Sequence, residues 1–423
     1  MTSTAPARSR LLYITNGFPY PLTSGYLRHY FLMGELAAAG HDIVLLSIVG
    51  ADHRPEHAAA IADRTERVET FHSLDRATGT IQRLIRRARR LLPSGLADPA
   101  ARQLADRAGE LIRRERFDAV VFSGKRTDAA LDRLETLPVV VDMCDAATLR
   151  LKREMAVASP SRRAALEVMA RRVRKTERRM LDRADRSLFA SARDLEGLLE
   201  EFADGGQASS TAERARRSVV VPNGVDTRFW SRGSATLGAG IVFTGAMNYG
   251  PNVDAAVRLA RTIFPLVRRD LPTAGLTLVG RDPVPDVQAL GDLDGIRVTG
   301  YVDDVRPFLE SAAVFAAPLR FGAGIQNKLL EAMSMAVPSV VSTLAADGLR
   351  TVDGSVPPIV IVDDDDATAA AIVATLRRVA ADPTPDWAAR AYVERHFSWE
   401  ASGASLANLI AAARADWHRN GQA

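Results

Sequence analysis

The 423-residue sequence predicts two doubly wound α/β domains, each built on a parallel sheet with helices on both faces. Short β-branched runs alternate with amphipathic helical stretches along nearly the whole chain, which is typical of strands joined by crossover helices. Apolar runs such as IVLLSI (43–48) and VVVDM (139–143) suit strands that are buried on both faces. Midway, the stretch 201–217 is rich in Gly, Ser, Ala and Arg without apolar periodicity, and it predicts a loop between the two halves.

The strands follow one another in order along each half. In the first half the predicted strands are Leu11–Thr15, Ile43–Ile48, Asp118–Ser123, Val139–Asp142 and Arg186–Ser191. In the second half they are Val219–Val221, Ile241–Thr244, Leu276–Val279, Ile296–Thr299, Val314–Ala317, Ser339–Ser342 and Ile359–Val362. We therefore predict an N-terminal domain over 1–205, joined by a C-terminal helix at about 397–421 that crosses back onto it, and a C-terminal domain over 218–396. Ligands of such sheets bind beyond the carboxyl ends of the strands, so two such domains are expected to face a central cleft.

Composition excludes several classes of protein. A hydrophobic fraction of 47% and a charged fraction of 25% rule out disordered, collagen-like and coiled-coil chains. The single cysteine, Cys144, excludes a disulfide scaffold and fits a reducing compartment. The polar N-terminus is followed only by the short apolar run LLYIT, and no apolar run approaches the length of a membrane span, so we expect a cytoplasmic protein. A formal charge of +4 is too small for this length to predict a nucleic-acid partner.

The stretch PLRFGAGIQNKLLEAMSMAVPSVVS (318–342) has the order strand end, loop, helix, strand. Gly322 and Gly324 would let the backbone approach a ligand, and a helix beginning near Ile325 would offer its first-turn amides to an anion. Lys328, at the end of that first turn, could reach a phosphate, and Glu331 shares its face and could accept hydroxyl hydrogen bonds from a ribose. The pattern thus predicts a nucleotide-sugar site. The alternative is an ordinary surface pair on a helix whose core residues are Leu329, Leu330, Met333 and Met335.

This segment resembles the donor-binding helix of retaining glycosyltransferases of family 4, which have the two-domain GT-B fold. Three further stretches resemble that family in order and spacing. NGFPYPLTSGYLRHY (16–30) resembles the loop after the first strand, VVVPNGVDTRFW (219–230) the start of the second domain, and FTGAMNYGPNVDAA (243–256) the first strand, loop and helix of that domain. The chain is most similar to bacterial sugar transferases associated with exopolysaccharide systems.

The resemblance implies transfer of a sugar from a nucleotide-sugar donor to an acceptor hydroxyl, with retention at the anomeric carbon. Glu331 would bind the donor ribose and Lys328 the diphosphate. The donor-binding residues that it implies are Gly25, Gly245, Asn248, Gly322, Gly324, Ile325, Asn327, Lys328 and Glu331. No metal and no other cofactor is expected, because the lysine and the helix terminus would neutralise the leaving diphosphate. The acidic run DDDD (363–366) is interpreted as a loop and helix N-cap rather than a metal site.

Two positions depart from the family pattern. Many members have a second glutamate eight positions before the residue that matches Glu331, where this chain has Ala323, so contacts with the donor sugar must differ. Members also often carry a histidine after a strand in the middle of the N-terminal domain, where this chain has GKRTD (124–128). Lys125 would take part of that role or bind an anionic acceptor; the alternative is a solvated loop lysine.

The segment VVVDMCDAATLR (139–150) places Asp142 and Asp145 at the end of a strand, where catalytic residues of such sheets collect. Asp145 is the candidate that would accept the proton of the acceptor hydroxyl. The alternative is that Asp142 or Asp145 caps the helix that follows. Cys144 is interpreted as a small buried residue rather than a nucleophile, and His29 as a packed residue of the first helix.

Two basic stretches raise the question of membrane contact. IQRLIRRARRLL (81–92) is amphipathic, and it would either touch an anionic membrane or pack on the sheet with its arginines in water. The segment 162–185 is interpreted as a structural crossover helix. The expected partners are a nucleotide-sugar donor and a sugar, lipid-linked or small-molecule acceptor.

Two other functions remain open on the sequence. One is a GT-B protein of different activity, such as a nucleotide-sugar epimerase or a non-glycosidic coupling enzyme. The other is a catalytically inactive nucleotide-sugar-binding protein, which the absent second glutamate and histidine would permit.

Overall fold

The computed structural model describes residues 8–22, 26–51, 53–73, 98–203, 208–351 and 354–420. Within these ranges the chain forms two compact units. Unit 1 takes Met1–Ala190, Asp194–Val221 and Trp399–Ala423, and unit 2 takes Ser191–Arg193 and Pro222–Ser398. Each unit contains a parallel sheet with helices in the connections, so the predicted fold class of two doubly wound α/β units is confirmed.

The sheet of unit 1 has seven strands in the order β3-β2-β1-β4-β5-β6-β7. They are β1 (Arg10–Thr15), β2 (Asp42–Val49), β3 (Arg67–His72), β4 (Ala119–Ser123), β5 (Val139–Cys144), β6 (Arg186–Phe189) and β7 (Ser218–Val220). The strand order reverses between β1 and β4, and such a switch point is where doubly wound sheets bind ligands.

Two strands of this sheet differ from the sequence prediction. The sequence analysis did not identify β3, whose residues RVETFH are half-buried or exposed and lack a continuous apolar run. The strand predicted at Val219–Val221 was placed in the second half, but β7 pairs in parallel with β6 in the first sheet. The buried hydroxyls of Ser187 and Ser218 lie 2.6 Å apart across that pairing.

The helices of unit 1 lie in the connections between these strands and at the end of the chain. They are α1 (Leu27–Ala38), α2 (Pro55–Ala59), α3 (Pro99–Arg114), α4 (Ala147–Val157), α5 (Pro160–Arg183), α6 (Ala192–Ala203), α7 (Ala208–Arg217) and α16 (Trp399–Asn420). The prediction of a loop over 201–217 is wrong for Ala208–Arg217, which form α7. The segment AERARR has strong helix formers, and Glu213 pairs with Arg217 four residues later.

The sheet of unit 2 has six strands in the order β10-β9-β8-β11-β12-β13. They are β8 (Gly240–Thr244), β9 (Leu276–Val279), β10 (Ile296–Val298), β11 (Ala312–Ala317), β12 (Ser339–Val341) and β13 (Val360–Ile361). The helices are α8 (Gly250–Arg258), α9 (Phe264–Asp270), α10 (Pro285–Gln288), α11 (Arg306–Glu310), α12 (Asn327–Ser334), α13 (Thr343–Asp347), α14 (Asp365–Ala381) and α15 (Trp387–His396). The sequence predicted all six strands to within two residues at each end. In this sheet the strand order reverses between β8 and β11.

The core of unit 1 lies on both faces of its sheet. Successive residues of β1 point to opposite faces, with Leu12 and Ile14 in one buried cluster and Leu11 and Tyr13 in the other. Helix α16 packs against α1, and the Phe31 and Trp399 rings stack with centroids 4.7 Å apart. Within the described ranges, no helix has both the length and the hydropathy that a membrane span requires.

Candidate functional site

The glycine loop of unit 2 connects β11 to α12 and carries the main predicted site. Helix α12 begins at Asn327, two residues later than predicted, because Gln326 has extended backbone angles and occupies the N-cap position. Lys328 is therefore the second residue of the helix rather than the end of its first turn. Gly324 has a φ of +67°, in the left-handed region that glycine adopts without strain. The carboxyl end of β11 adjoins that of β8, so the loop lies at the switch point of the sheet.

Lys328 is half-buried and contacts neutral groups only. Its Nζ donates to Asn252 Oδ1 at 2.8 Å and to Gln326 Oε1 at 3.1 Å. It also lies 5.8 Å from the centroid of the Phe243 ring. Burial lowers the pKa of Lys328 to about 8, and Glu331 only partly opposes that shift. Among the described residues no carboxylate forms an ion pair with this ammonium, and neutral oxygens hold it in place, which suits it to an anionic ligand.

Glu331 lies one turn further along α12 and is also half-buried. Burial raises its pKa to about 7, and the nearby Lys328 lowers it in part. Among the described side chains, none bonds to its carboxylate, and no ion pair joins it to Lys328. The alternative of an ordinary surface pair is therefore wrong. The two side chains are thus partly desolvated charges one turn apart that do not form an ion pair.

Asn252 is a site residue that sequence reasoning missed. It lies in the first turn of α8 and is only 4% exposed. Its Nδ2 donates to the Ala246 carbonyl at 3.0 Å, which leaves Oδ1 directed to Lys328. The signal that could have identified it is its position, since it is a polar residue in the helix turn that follows a strand end.

Residue 245 has no room for a side chain, because Asn252 packs against it. A Cβ on Gly245 would lie 2.6 Å from Asn252 Nδ2, and a Cβ on Gly280 would lie 1.7 Å from the Gly245 carbonyl oxygen. Glycine at both positions lets the ends of β8 and β9 pack together over the asparagine. Gly245 therefore leaves room for the asparagine that contacts Lys328.

The other predicted donor-binding residues of unit 2 differ in how far they are buried. Gly322 and Ile325 are buried in the loop. Asn327 Oδ1 accepts a hydrogen bond from Asn223 Nδ2 at 2.8 Å, which joins the PNG segment 222–224 to α12. Asn248 is exposed, with its Nδ2 3.3 Å from Asp282 Oδ2. Gly25 and the basic stretch 81–92 lie outside the described residues.

Lys125 follows β4 at the carboxyl edge of unit 1. Its Nζ donates to the carbonyl and to Oδ1 of Asp145, both at 3.0 Å, and lies 3.4 Å from Glu177 Oε1. Burial alone would lower the pKa of Lys125, but these two carboxylates raise it above its ordinary value. The alternative of a solvated loop lysine is therefore wrong.

Glu177 of α5 is a second residue that the sequence analysis missed. Its carboxylate is fully buried and accepts hydrogen bonds from the amides of Ala147 at 2.8 Å and Thr148 at 3.2 Å. It therefore accepts hydrogen bonds from first-turn amides of α4, which Ala146 at the N-cap position cannot do with its side chain. The alternative that Asp142 or Asp145 caps this helix is wrong. Burial raises the pKa of Asp145, but Lys125 and Arg150 outweigh it and keep that pKa below its ordinary value.

Three potential metal ligands lie together beneath this edge. Among the described residues, one ligand atom each of His29, Asp142 and Cys144 lie within 4.8 Å of one another. Burial raises the pKa of the Cys144 thiol to about 12 and lowers that of His29 to about 4. Arg28 donates to Asp142 at 2.8 Å, and His29 Nδ1 lies 3.0 Å from the Tyr13 hydroxyl. The guanidinium of Arg28 already neutralises the carboxylate, which leaves this group little negative charge to hold a cation. His29 is a buried, packed residue, as predicted, whereas Cys144 is half-buried rather than fully buried.

The acidic run 363–366 has the capping role that the sequence predicted. Asp364 Oδ1 accepts a hydrogen bond from the Ala367 amide at 2.9 Å at the start of α14. Asp363 accepts from the amide and hydroxyl of Thr343 at 2.9 and 2.7 Å, and Asp365 pairs with Arg258.

Residues 238–378 match the family model of glycosyl transferases, group 1. This range contains Gly245, Asn252, the glycine loop and α12. No curated protein matches the chain in sequence.

Several solved structures share the architecture along nearly the whole chain. Sucrose-phosphate synthase from Thermosynechococcus elongatus matches with a TM-score of 0.67 at 16% identity, covering 95% of this chain and 98% of its own. HepE of Anabaena, in complex with UDP and glucose, matches at 0.62 and 14% identity, covering 95% and 99%. The catalytic domain of starch synthase IV from Arabidopsis thaliana, bound to ADP and acarbose, matches at 0.62 and 12% identity, covering 97% and 100%.

The fold is GT-B. The family match in unit 2 and the GT-B fold together support a GT-B glycosyltransferase.

Proposed function

We propose that this chain transfers a sugar from a nucleotide-diphosphate sugar to an acceptor hydroxyl, with retention at the anomeric carbon. The observation that carries the proposal is the arrangement of Lys328 and Glu331 on α12. Both are half-buried, they are not paired with each other, and they follow a glycine loop at the switch point of the unit 2 sheet. A site of this kind matches one anionic and one hydroxyl-bearing part of a single ligand.

The diphosphate would bind at the start of α12. The first-turn amides of a helix are not used by the helix itself and carry the positive end of its dipole. Lys328 adds a point charge, oriented by Asn252 and Gln326. Glu331, as a carboxylate, would accept hydrogen bonds from two ribose hydroxyls. These groups would neutralise the charge of the leaving diphosphate without a metal ion or another cofactor.

In the transfer step, the bond between the anomeric carbon and the phosphate oxygen breaks, and a bond to the acceptor oxygen forms on the same face. The acceptor proton passes to the leaving phosphate, so the products are the glycoside and the nucleoside diphosphate. No protein nucleophile takes part, and the contribution of the chain is positioning and charge stabilisation.

For unit 1 we propose that Lys125 and Asp145 serve the acceptor. Asp145 is held as an anion by Lys125, and its lowered pKa makes it a weak base. It is therefore better suited to orient acceptor hydroxyls than to remove a proton. The acceptor is a sugar, a lipid-linked sugar or a small molecule. We place the reaction in the cytoplasm, where the thiol of Cys144, the single cysteine, would stay reduced.

The test begins with a thermal-shift screen of UDP-, GDP-, ADP- and TDP-sugars on the full chain. We expect one base to raise the melting temperature, and the same donor then serves in turnover assays. Lys328→Ala and Glu331→Ala are expected to lower turnover by about two orders of magnitude or more while the fold is retained. Lys152→Ala, an exposed lysine of unit 1, is the control. Near-wild-type turnover in both site variants, or no stabilising donor at all, contradicts the proposal.

Ala323 favours a second candidate function, that of a protein that binds the donor without transferring its sugar. Its half-buried methyl group offers no hydrogen bond to a donor sugar where many family 4 members have a glutamate. A protein that binds the donor without transferring its sugar would show the thermal shift and release no nucleoside diphosphate with any acceptor. An epimerase would convert the donor in the absence of any acceptor, and it too would release no nucleoside diphosphate.

A further inference from the structure

Helices α4 and α5 form a hairpin that has a small core of its own. Leu151, Leu166 and Ala170 make a buried cluster separate from the two main cores of unit 1. Between Ser161 and Arg171, only Leu166 and Ala170 are buried. The first half of α5 thus contacts the rest of unit 1 through one narrow stripe. Its remaining surface faces solvent.

This outer surface carries exposed apolar side chains among its charged residues. Val157, Val168 and Met169 are exposed by 45%, 50% and 41%. Ala164 and Ala165 are exposed as well, and their spacing to Val168 places them on one face, opposite Leu166 and Ala170. The sequence analysis interpreted 162–185 as purely structural, which does not account for this face.

The same hairpin concentrates positive charge. Helices α4 and α5 together carry twelve Arg and Lys residues and four Asp and Glu residues. Part of this charge is already neutralised, since Lys152 and Arg174 pair with Glu201 and Arg179 pairs with Asp132. Among the described ion pairs none involves Lys175, which is exposed. Arg171 and Lys175 follow Val168 on the same face of α5. Arg171 pairs with Glu167, yet its side chain stays 78% exposed.

We propose that the outer face of the α4–α5 hairpin binds the surface of an anionic lipid bilayer. Exposed valine and methionine side chains would enter the boundary between headgroups and acyl chains, and the surrounding cations would contact lipid phosphates. An RNA or DNA strand would use the cations but would gain nothing from the apolar side chains, so the combination selects lipid. Binding on this face is peripheral and sensitive to salt. The proposal goes beyond the proposed function and uses none of its residues.

The test is co-sedimentation of the full chain with vesicles. Vesicles of about seven parts phosphatidylcholine to three parts phosphatidylglycerol are compared with phosphatidylcholine alone. We expect at least about tenfold stronger partitioning onto the anionic vesicles, which falls as salt rises from about 0.05 M to about 0.5 M. Arg171→Gln with Lys175→Gln should weaken binding by about tenfold or more, because each cation near an anionic surface contributes about fivefold. Val168→Ser with Met169→Ser, which keeps the charge, should weaken it by about fivefold.

Arg377→Gln with Arg378→Gln is the matched control, since both arginines are exposed on α14 in unit 2. It should leave vesicle binding unchanged. Circular dichroism and the donor thermal shift should be the same in all variants, which separates this proposal from the one for the donor site. Absence of binding, equal binding to both vesicles, or undiminished binding of the two hairpin variants overturns the proposal. Loss of self-association in the hairpin variants, without any vesicle binding, would identify the face as a contact between two copies and overturn it as well.

Discussion

At the scale of single residues, the candidate site depends on side chains that are held without being neutralised. Lys328 is fixed by two neutral oxygens, and Glu331 has no bonding partner among the described groups. The sequence predicted both because they lie three residues apart on one helix. It could not predict Asn252, which reaches Lys328 from 76 positions away and whose role depends on how β8 and β11 pair. Local spacing is visible in a sequence, whereas contacts that cross a sheet are not.

The pairing of Asn252 with Lys328 can be measured as a coupling. Asn252→Ala should weaken donor binding by about tenfold, because the ammonium loses one of its two partners and is no longer oriented. Lys328→Ala should weaken it further, and the double variant should be no worse than Lys328→Ala alone. Calorimetric titration with the donor chosen by thermal shift measures all three. Additive losses would show that Asn252 acts independently of the lysine.

Donor affinity should depend on pH in two directions. Glu331, with a pKa of about 7, loses its charge as the pH falls below that value, so it accepts hydroxyl hydrogen bonds less well. Lys328, with a pKa of about 8, loses its charge as the pH rises above that value, so diphosphate binding weakens. Affinity should therefore be greatest between about pH 7 and 8 and fall by up to about tenfold per unit on either side. Calorimetry above pH 8 should also show proton uptake on binding.

A matched variant isolates the acid side of this profile. Glu331→Gln cannot titrate, so the loss of binding on the acid side should disappear. The loss at alkaline pH should remain and begin below pH 8, because Glu331 no longer raises the pKa of Lys328. A wild-type profile that is flat from pH 5 to 10 would contradict the assignment of both groups.

At the scale of elements, the fold was far more predictable than its buried polar contacts. Apolar β-branched runs identified the strands of unit 2 to within two residues, because strands covered on both faces leave a continuous signal. Strand β3 was missed because its residues are half-buried or exposed, and α7 was missed because it has no apolar stripe. Glu177 was missed because it is one more acidic residue in a charged helix until α4 is placed against it.

Replacement of Glu177 should cost stability rather than donor affinity. Glu177→Ala leaves the amides of Ala147 and Thr148 without an acceptor and removes one carboxylate beside Lys125. We expect the free energy of unfolding to fall by about 2–4 kcal/mol, and by less in Glu177→Gln, which keeps an acceptor for α4. Urea denaturation followed by circular dichroism measures both.

The control for this prediction lies on the same helix. Glu167→Ala removes an exposed carboxylate that pairs only with Arg171, so its effect should stay within about 0.5 kcal/mol. Equal effects for Glu167→Ala and Glu177→Ala would contradict the role assigned to the buried carboxylate.

At the scale of the whole molecule, unit 1 is assembled from distant parts of the chain, whereas unit 2 is nearly continuous. Leu406, Ile410 and Ala413 of α16 belong to the same buried cluster as β1 and β2. The sheet of unit 1 thus has one face completed by a helix that follows all of unit 2.

Removal of α16 should therefore damage unit 1 selectively. A chain that ends at Ser398 exposes the cluster beneath α16 and should lose about 5 kcal/mol or more of unit 1 stability, while unit 2 keeps its protection. Hydrogen exchange of β1 and β8 reports the two units separately. A chain that ends at Arg414 keeps the three buried residues and should stay close to wild type. Equal protection of β1 in both truncated chains would contradict the role of α16.

This arrangement has a consequence for synthesis on the ribosome. The strands β1 to β7 are all made before unit 2, yet the residues that cover one of their faces emerge only after it. Unit 2 can therefore reach its native state while the earlier unit still exposes apolar surface. During translation, the half of the polypeptide made first is the half that exposes apolar surface longest.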